Sequence, residues 1–425
     1  MNILIKNGLT VVGDEYDKFD VYIEGSKIVK VGKDIDCLAE KVIDATGKVV
    51  LPGFVDMHCH LRDPGQEYKE DIASGTAAAL RGGFTSIACM PNTVPPLDNA
   101  ALIRYVATRA AEVDNCKVYP IGCVTKGQAG KEITEMGFMK DAGAVAFSDD
   151  GKPVSDAGVM LKALEYASSV GALIISHCEE KSLSGNGVVN EGTNGTVAGL
   201  KGIPRSAEEV MVAREIVLAE TLGVRVHIAH VSTRGSVELV REAKKRGVRV
   251  TCETCPHYFT ATDDEIVNYD TNAKINPPLR TQDDVDAIIE GLKDGTIDAI
   301  ATDHAPHHAD EKNREFDLAP FGTVGFETAF SLAYTYLVDA GHIDIVALSK
   351  LMSAGPSRIL GLGTGTIAEG ERADITIVDP DLSYVVDSSK FVSKGKNSLF
   401  NGWKLTGAVI AVIVDGVQKE IKNYD

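Results

Sequence analysis

A His-x-His pair, His58-Cys59-His60, closes the apolar run Pro52-Gly53-Phe54-Val55-Asp56-Met57. In an extended strand, residues two apart point the same way, so both imidazoles face one point in space. Neutral imidazole is a common metal ligand, and two converging rings supply half of a tetrahedral shell. Alone, the motif is weak. Its weight comes from other strand-like runs that end in the same manner: Ser148-Asp149-Asp150, His177, His230 and Thr302-Asp303-His304. Taken singly, each is an ordinary polar strand end. Together they form a set of titratable groups that, once buried, need charge partners or a metal.

Four His and two Asp (His58, His60, His177, His230, Asp150 and Asp303) suit a zinc-type site that holds one ion, or two sharing an anionic bridge. Asp150 has the strand parity for that bridge; Asp149 has the opposite parity and should point into packing. His227 likewise points away from His230 and reads as a core or interstrand histidine. Cys59 and Cys178 face outward on the same logic. Asp303 can both ligate and take a proton from water whose pKa the metal lowers towards about 7, so hydroxide is available as nucleophile at neutral pH. The base then becomes the acid that protonates a leaving nitrogen. That is metal-assisted hydrolysis of an amide-like bond. Arg62, Asn92 (in Met90-Pro91-Asn92-Thr93) and His307 (in Ala305-Pro306-His307) could form an anion pocket, the guanidinium fork matching a carboxylate. His257 is expected to support a ligand rather than bind metal, and Cys252-x-x-Cys255 to pack, since no second Cys-x-x-Cys accompanies it.

These residues must be positioned by the elements that end on them. Strand patterns fall at Phe54–His60, Phe84–Met90, Lys117–Val124, Ala144–Asp150, Ala172–Cys178, Val224–His230, Val248–Glu253 and Asp298–His304. Helical spacing occupies Asp98–Val113, Ser206–Leu222, Arg234–Arg246 and Thr281–Leu292 between them. Eight strands alternating with helices predict an α/β fold, a (β/α)8 TIM-type barrel over residues 51–360 with its chemistry at the carboxyl ends of the strands. An open doubly wound sheet is the competitor; no Gly-x-Gly-x-x-Gly follows the first strand to support it. Residues 1–50 and 361–425 read as short strands punctuated by glycine, which predicts one small composite β-sandwich built from both termini. The segment 185–202 is long and glycine-rich enough to be mobile.

The chain has 425 residues, 44% of them hydrophobic, ample for a large core. A formal charge of −18 and a pI near 5.0 argue against nucleic acid or an anionic membrane as partner. No run of about 18 apolar residues is present, and the start lacks the layout of a secretion signal. Eight scattered cysteines read as reduced thiols, so the expected compartment is the cytoplasm.

Asp56-Met57-His58-Cys59-His60-Leu61-Arg62-Asp63-Pro64-Gly65 resembles the first signature of the dihydroorotases of the amidohydrolase superfamily, and Ala301-Thr302-Asp303-His304-Ala305-Pro306-His307, with Lys312 downstream, resembles the second. The likeness runs through Phe147–Gly151 and Ala229–Thr233 and is nearest the long bacterial type. It implies two zinc ions per subunit: His58, His60 and Asp303 on one, His177 and His230 on the other, Asp150 between them. It further implies that Arg62, Asn92 and His307 hold a substrate carboxylate, with His60 also beside the substrate and Asn276, Phe321 and Gly322 against a pyrimidine ring. The implied reaction is reversible closure of N-carbamoyl-L-aspartate to L-dihydroorotate. A homodimer and an association with aspartate transcarbamoylase belong to the same expectation. Cys59 stands where a small aliphatic residue is usual. Relatives that bridge their metals with a carboxylated lysine show Phe-Lys where this chain has Phe147-Ser148, so the bridge falls to Asp150. The competing readings are a hydantoinase, dihydropyrimidinase or allantoinase, disfavoured by the missing lysine, and a silent scaffold, disfavoured because all six ligands are present.

Overall fold

The structure, a computed structural model, describes residues 2–421. From Phe54 onward, runs rich in buried apolar residues alternate with capped helices. The strands are Phe54–Cys59, Phe84–Cys89, Lys117–Gly122, Ala146–Phe147, Ile175–Ser176, Val226–Ile228, Val250–Thr254 and Ala299–Ile300. Helices follow them in turn, from Ile72–Arg81 and Ala100–Val113 to Ser206–Leu222, Arg234–Lys245 and Gln282–Lys293. Their starts are chemically marked. Asn99 accepts from the N–H groups of Ala101 and Leu102, and Thr281 with Asp284 forms a reciprocal capping box.

All neighbouring strands pair in parallel, the first four in one ladder and the last four in another. Two parallel bridges, Phe147 to Ile174 and Cys59 to His304, join the ladders into a closed ring. Closure removes both sheet edges. At the second seam Asp56 accepts from the Thr302 N–H (2.9 Å) and hydroxyl (2.6 Å). Burial pushes the Asp56 pKa up to about 7. The ring is filled by Met57, Ala88, Ile121, Ala146, Ile175, Ala229 and Ala299, a packed core rather than a channel.

Several strands are shorter than their sequence patterns. Ala144–Asp150, Ala172–Cys178 and Asp298–His304 each keep only two residues of ladder. After the last of these, Asp303 turns into the left-handed region at φ 46°, and His230 does the same at φ 36° after Ile228. The residues beyond the ladder form the rim at the carboxyl end of the barrel instead. The segment 185–202 is not structureless: Val189–Asn190 pairs with Gly202–Ile203 around a short helix, Thr193–Val197. Asn190 fastens it by donating to Asp263 and accepting from Arg280.

The remaining strands form two sheets. One orders Lys27–Gly32, Asp20–Glu24, Asn2–Lys6 and Lys41–Asp44; the other orders Val417–Lys419, Lys404–Val414, Ile375–Val385, Val49–Pro52, Leu9–Val12 and Glu15–Lys18. Ile3, Ile5, Val21, Ile23 and Val50 share one buried core with Ile375, Ile377 and Ile413, so both ends of the chain build it. Met1 and residues 422–425, which the sequence pattern assigns to this region, lie outside the described residues. The chain crosses into the barrel at Gly53, where a Cβ would stand 2.3 Å from Thr85 Oγ1.

Candidate metal centre and substrate pocket

The six sequence-predicted ligands converge at the carboxyl end of the barrel, all of them buried. Asp150 sits at the middle. Its Oδ1 lies 3.4 Å from His58 Nε2, 3.4 Å from His177 Nδ1 and 3.6 Å from His230 Nε2; its Oδ2 lies 3.6 Å from His60 Nε2. Asp303 Oδ1 is 3.1 Å from His60 Nε2 and 3.5 Å from His58 Nε2. His177 Nδ1 and His230 Nε2 are 2.8 Å apart. With zinc–ligand bonds of about 2.0–2.1 Å, a tetrahedral shell spaces neighbouring ligand atoms roughly 3.3–3.4 Å apart. The observed spacings bracket that value. Two buried atoms in the cluster, His58 Nε2 and Asp150 Oδ1, have no hydrogen-bond partner. Orphaned buried polar atoms that face each other across such spacing fit a cation between them. Two overlapping triads, His58–His60–Asp150 and Asp150–His177–His230, can each hold one.

Charge distribution agrees. Burial pushes the Asp150 and Asp303 carboxyls up, but the surrounding imidazoles outweigh it and hold both below the ordinary range. Burial works the other way on His177, and Asp150 and Glu179 overcome it to raise its pKa to about 9. The cluster therefore attracts positive charge, as proton or as metal.

Each inward nitrogen is set by what the other ring atoms touch. His58 Nδ1 lies 2.8 Å from Glu253 Oε1, His60 Nδ1 lies 2.9 Å from Asn92 Oδ1, and His177 Nε2 lies 3.2 Å from Glu179 Oε2. These oxygens only accept, so each outer nitrogen carries the hydrogen and the inner one keeps its lone pair for a cation. Sequence reasoning missed Glu253 and Glu179. The signal was available for Glu179, which has the same strand parity as His177. Glu253 also holds His227 (3.3 Å), whose Nδ1 meets the Thr251 hydroxyl at 2.8 Å, an interstrand role. Asp149 points away from the cluster, accepting from the N–H groups of Val124 and Thr125 and from the Thr125 hydroxyl. His257 is buried with an unpartnered Nε2, and burial lowers its pKa to about 4. Cys59 bonds the Ala88 carbonyl, Cys252 the Thr296 carbonyl, and burial pushes the thiols of Cys252 and Cys255 up, which disfavours thiolate.

Beside the cluster lies a cavity of about 280 Å³. Arg62, Asn92, Asn276, His307, Phe321 and Gly322 all line it, together with His60, Asp150, His177, His230 and Asp303. Arg62 is buried at φ 60°, its Nε donating to the Pro306 carbonyl at 3.2 Å. Left-handed backbone at Arg62, His230 and Asp303 costs about 1–3 kcal/mol each, a cost typical of functional rims. His307 Nε2 donates to the Phe321 carbonyl at 2.8 Å, and burial beside Arg62 and Lys312 holds its pKa far below the usual value, so the ring is neutral. Asn92 does more than line the pocket: its Nδ2 donates to Asp150 Oδ2 at 3.2 Å, which links His60 to the bridge candidate. Asn276 donates to Glu179 at 3.1 Å. Gly185 and Gly187 of the 185–202 segment, with Lys181 and Ile203, complete the lining.

Comparison with known proteins gives a consistent picture. A family model described as dihydro-orotase-like matches residues 47–236. A dihydroorotase of Acetivibrio thermocellus is 59% identical over 397 residues, covering 93% of each chain. One of Caldanaerobacter subterraneus subsp. tengcongensis is 54% identical over 424 residues, covering 100% of this chain and 98% of its own. Among solved structures, an L-hydantoinase (dihydropyrimidinase) from Arthrobacter aurescens superposes with a TM-score of 0.89 at 26% identity, covering 99% of this chain and 97% of its own. A D-hydantoinase (dihydropyrimidinase) from Thermus sp. gives 0.84 at 26% identity, covering 98% and 94%.

Proposed function

The chain belongs to the dihydroorotase family of metal-dependent cyclic amidohydrolases, and from that premise we propose how its residues interconvert L-dihydroorotate and N-carbamoyl-L-aspartate in pyrimidine synthesis. The observation that carries the reading is one cavity lined by five of the six His and Asp candidates, with His58 buried behind them, and by a buried Arg62 beside His307.

His58, His60 and Asp303 would hold one zinc ion, His177 and His230 would hold a second, and Asp150 would serve both. Bound metal supplies Lewis-acid chemistry, polarising a carbonyl and lowering the pKa of water towards about 7. The other steps belong to side chains. Arg62 pairs with the substrate carboxylate, and Asn276 with the Phe321–Gly322 backbone orients the ring. During ring opening Asp303, ionised at neutral pH, takes the proton of the attacking water. It returns that proton to the ring nitrogen as the C–N bond breaks; ring closure reverses the path. The reading that this is a hydantoinase is distinguished by Arg62, since hydantoins and dihydrouracil carry no carboxylate to pair with it.

The proposal extends to a cytoplasmic enzyme, supported by eight free thiols, seven of them buried. It also includes a homodimer and association with aspartate transcarbamoylase, which size-exclusion chromatography with and without that enzyme tests. Among the described residues no helix is long and apolar enough to cross a membrane. The decisive experiment combines metal analysis of the purified protein with a dihydroorotate hydrolysis assay. Two metal equivalents with turnover are expected. Asp150→Ala should lose at least one equivalent while Asp149→Ala keeps both; equal metal content in the two variants would remove Asp150 from its role.

A further inference from the structure

The carboxylate side of the pocket is made of two loops, Ala305–His307 after the last barrel strand and Phe321–Thr323. Neither is helical or in a ladder strand; they meet through the Ala305 N–H on the Thr323 carbonyl at 2.9 Å and through His307 Nε2 on the Phe321 carbonyl at 2.8 Å. A segment near residue 397, beyond the barrel and between two strands of the sandwich, ties the two loops further. The Asn397 side chain is 5% exposed and fully paired. Its Oδ1 accepts from the His307 N–H at 3.0 Å, and its Nδ2 donates to the carbonyls of Ala305 at 3.0 Å and Gly322 at 3.1 Å. Its own carbonyl accepts from the Val324 N–H (2.9 Å) and the Thr323 hydroxyl (3.1 Å).

One acceptor and two donors in a plane is the pattern of a primary amide. Aspartate would aim an oxygen at two carbonyls, and an apolar residue would strand all three backbone groups. The segment also approaches too closely for chance contact. A Cβ on Gly395 would stand 2.6 Å from Pro306 Cβ and 2.9 Å from Pro306 Cα, so only glycine allows this seat. Two further ties hold the segment down: Glu327 accepts from the N–H groups of Val392 and Ser393, and buried Glu70 bonds both the Ser393 hydroxyl and His304.

We propose that Asn397 is a positioning residue for substrate recognition: with the direct loop-to-loop bonds it fixes the backbone of His307 relative to Gly322, and with it the width of the carboxylate pocket. The inference rests on the functional reading above and deepens it. Asn397 touches no metal-ligand candidate by side-chain hydrogen bond, so its loss should act on binding rather than on chemistry.

The test uses Asn397→Asp, Asn397→Ser and Gly395→Ala in the full-length holoenzyme. Metal content should stay at the wild-type level. KM for dihydroorotate should rise about tenfold or more, the scale of leaving buried donors and acceptors unpaired, while kcat changes by less than about threefold. Asn397→Ser, which restores one hydrogen bond, should lie between Asn397→Asp and wild type. Thermal protection by N-carbamoyl-L-aspartate should weaken in the same order, a readout that lowered stability alone would not move. Unchanged KM in folded Asn397→Ser and Gly395→Ala would overturn the inference whatever becomes of Asn397→Asp, as would a fall in kcat at constant KM or a loss of metal. Wild-type protein that neither binds nor turns over dihydroorotate would instead overturn the functional reading, and this inference with it.

Discussion

The two walls of the active cavity are built by different means. On the metal-facing wall, the His and Asp side chains stand at or just past the ends of barrel strands, and His58 and His60 share a face because they are two residues apart. On the anion-facing wall, Arg62, His307, Phe321 and Gly322 sit on loops, and Asn397 from the C-terminal segment ties the backbone of His307 to that of Gly322. A strand orients a side chain through its own period of two, whereas a loop needs a partner from elsewhere in the chain. The first wall is thus nearly self-organising once the barrel closes, and the second depends on the sandwich docking against the barrel.

Substitutions can break or sharpen this contrast. The largest effect is expected from the metal-facing wall. Asp303→Asn keeps the shape and removes the basicity, so kcat should fall by at least ~10²-fold, checked by steady-state kinetics alongside metal analysis. Near-wild-type turnover with full metal content would take the proton-transfer role from Asp303.

On the anion-facing wall, Arg62→Met should cost roughly 10²-fold in kcat/KM for dihydroorotate, because a charge-assisted contact and its desolvated partner are lost together. Any residual dihydrouracil activity should hardly change. If the wild type hydrolysed dihydrouracil as well as dihydroorotate, the carboxylate pocket would be the wrong reading of this wall.

Smaller effects should come from residues that support the ligands. Glu253→Gln replaces a carboxylate held by both His58 and His227 with a neutral amide that cannot accept from both rings at two oxygens. Metal affinity, measured by competition with a chelator, should weaken about 10–100-fold, with the fold intact by circular dichroism. An unchanged affinity would mean that the strand alone fixes the His58 ring.

The smallest effect concerns Asp149, which holds strand ends together rather than metal. Burial raises its pKa from 3.8 to about 6 in the folded state, against the hydrogen bonds from Thr125 and Val124. A raised folded pKa means the folded state binds the proton more tightly than the unfolded one, so this group favours folding at low pH and loses that contribution as pH rises through about 6. Relative to Asp149→Asn, the wild type should therefore gain stability between pH 6 and pH 4, read from denaturant melts as a double difference. A gap that stays constant over that window would show that Asp149 is ionised throughout.

Much of the molecule is readable from local pattern. Alternating periods gave eight strands with helices between them, and Ser206–Leu222 forms with the same bounds that its spacing predicts. Strand parity separated Asp150 from Asp149 and His230 from His227, and each pair does point in opposite directions. These properties are local because a strand's geometry repeats every two residues and a helix's every 3.6, so the side-chain direction follows from position alone.

What the sequence left undetermined is what depends on residues far apart in the chain. Glu253 meets His58 across a separation of 195 residues, and Asn397 meets His307 across 90. Glu253 ends a strand pattern beside a cysteine pair, and Asn397 lies in the C-terminal region of short strands; nothing in the local pattern marks either as a partner of the site. The shortening of the last strand to Ala299–Ile300, and the left-handed turn at Asp303, lie beside the seam where Cys59 bridges His304, a pairing of residues 245 apart that no local period displays. Residue type and spacing determined which groups could do the chemistry. The distances between them, and the tautomer each imidazole presents, were decided by tertiary packing, because a hydrogen bond needs its partner within about 3 Å and no local period supplies one.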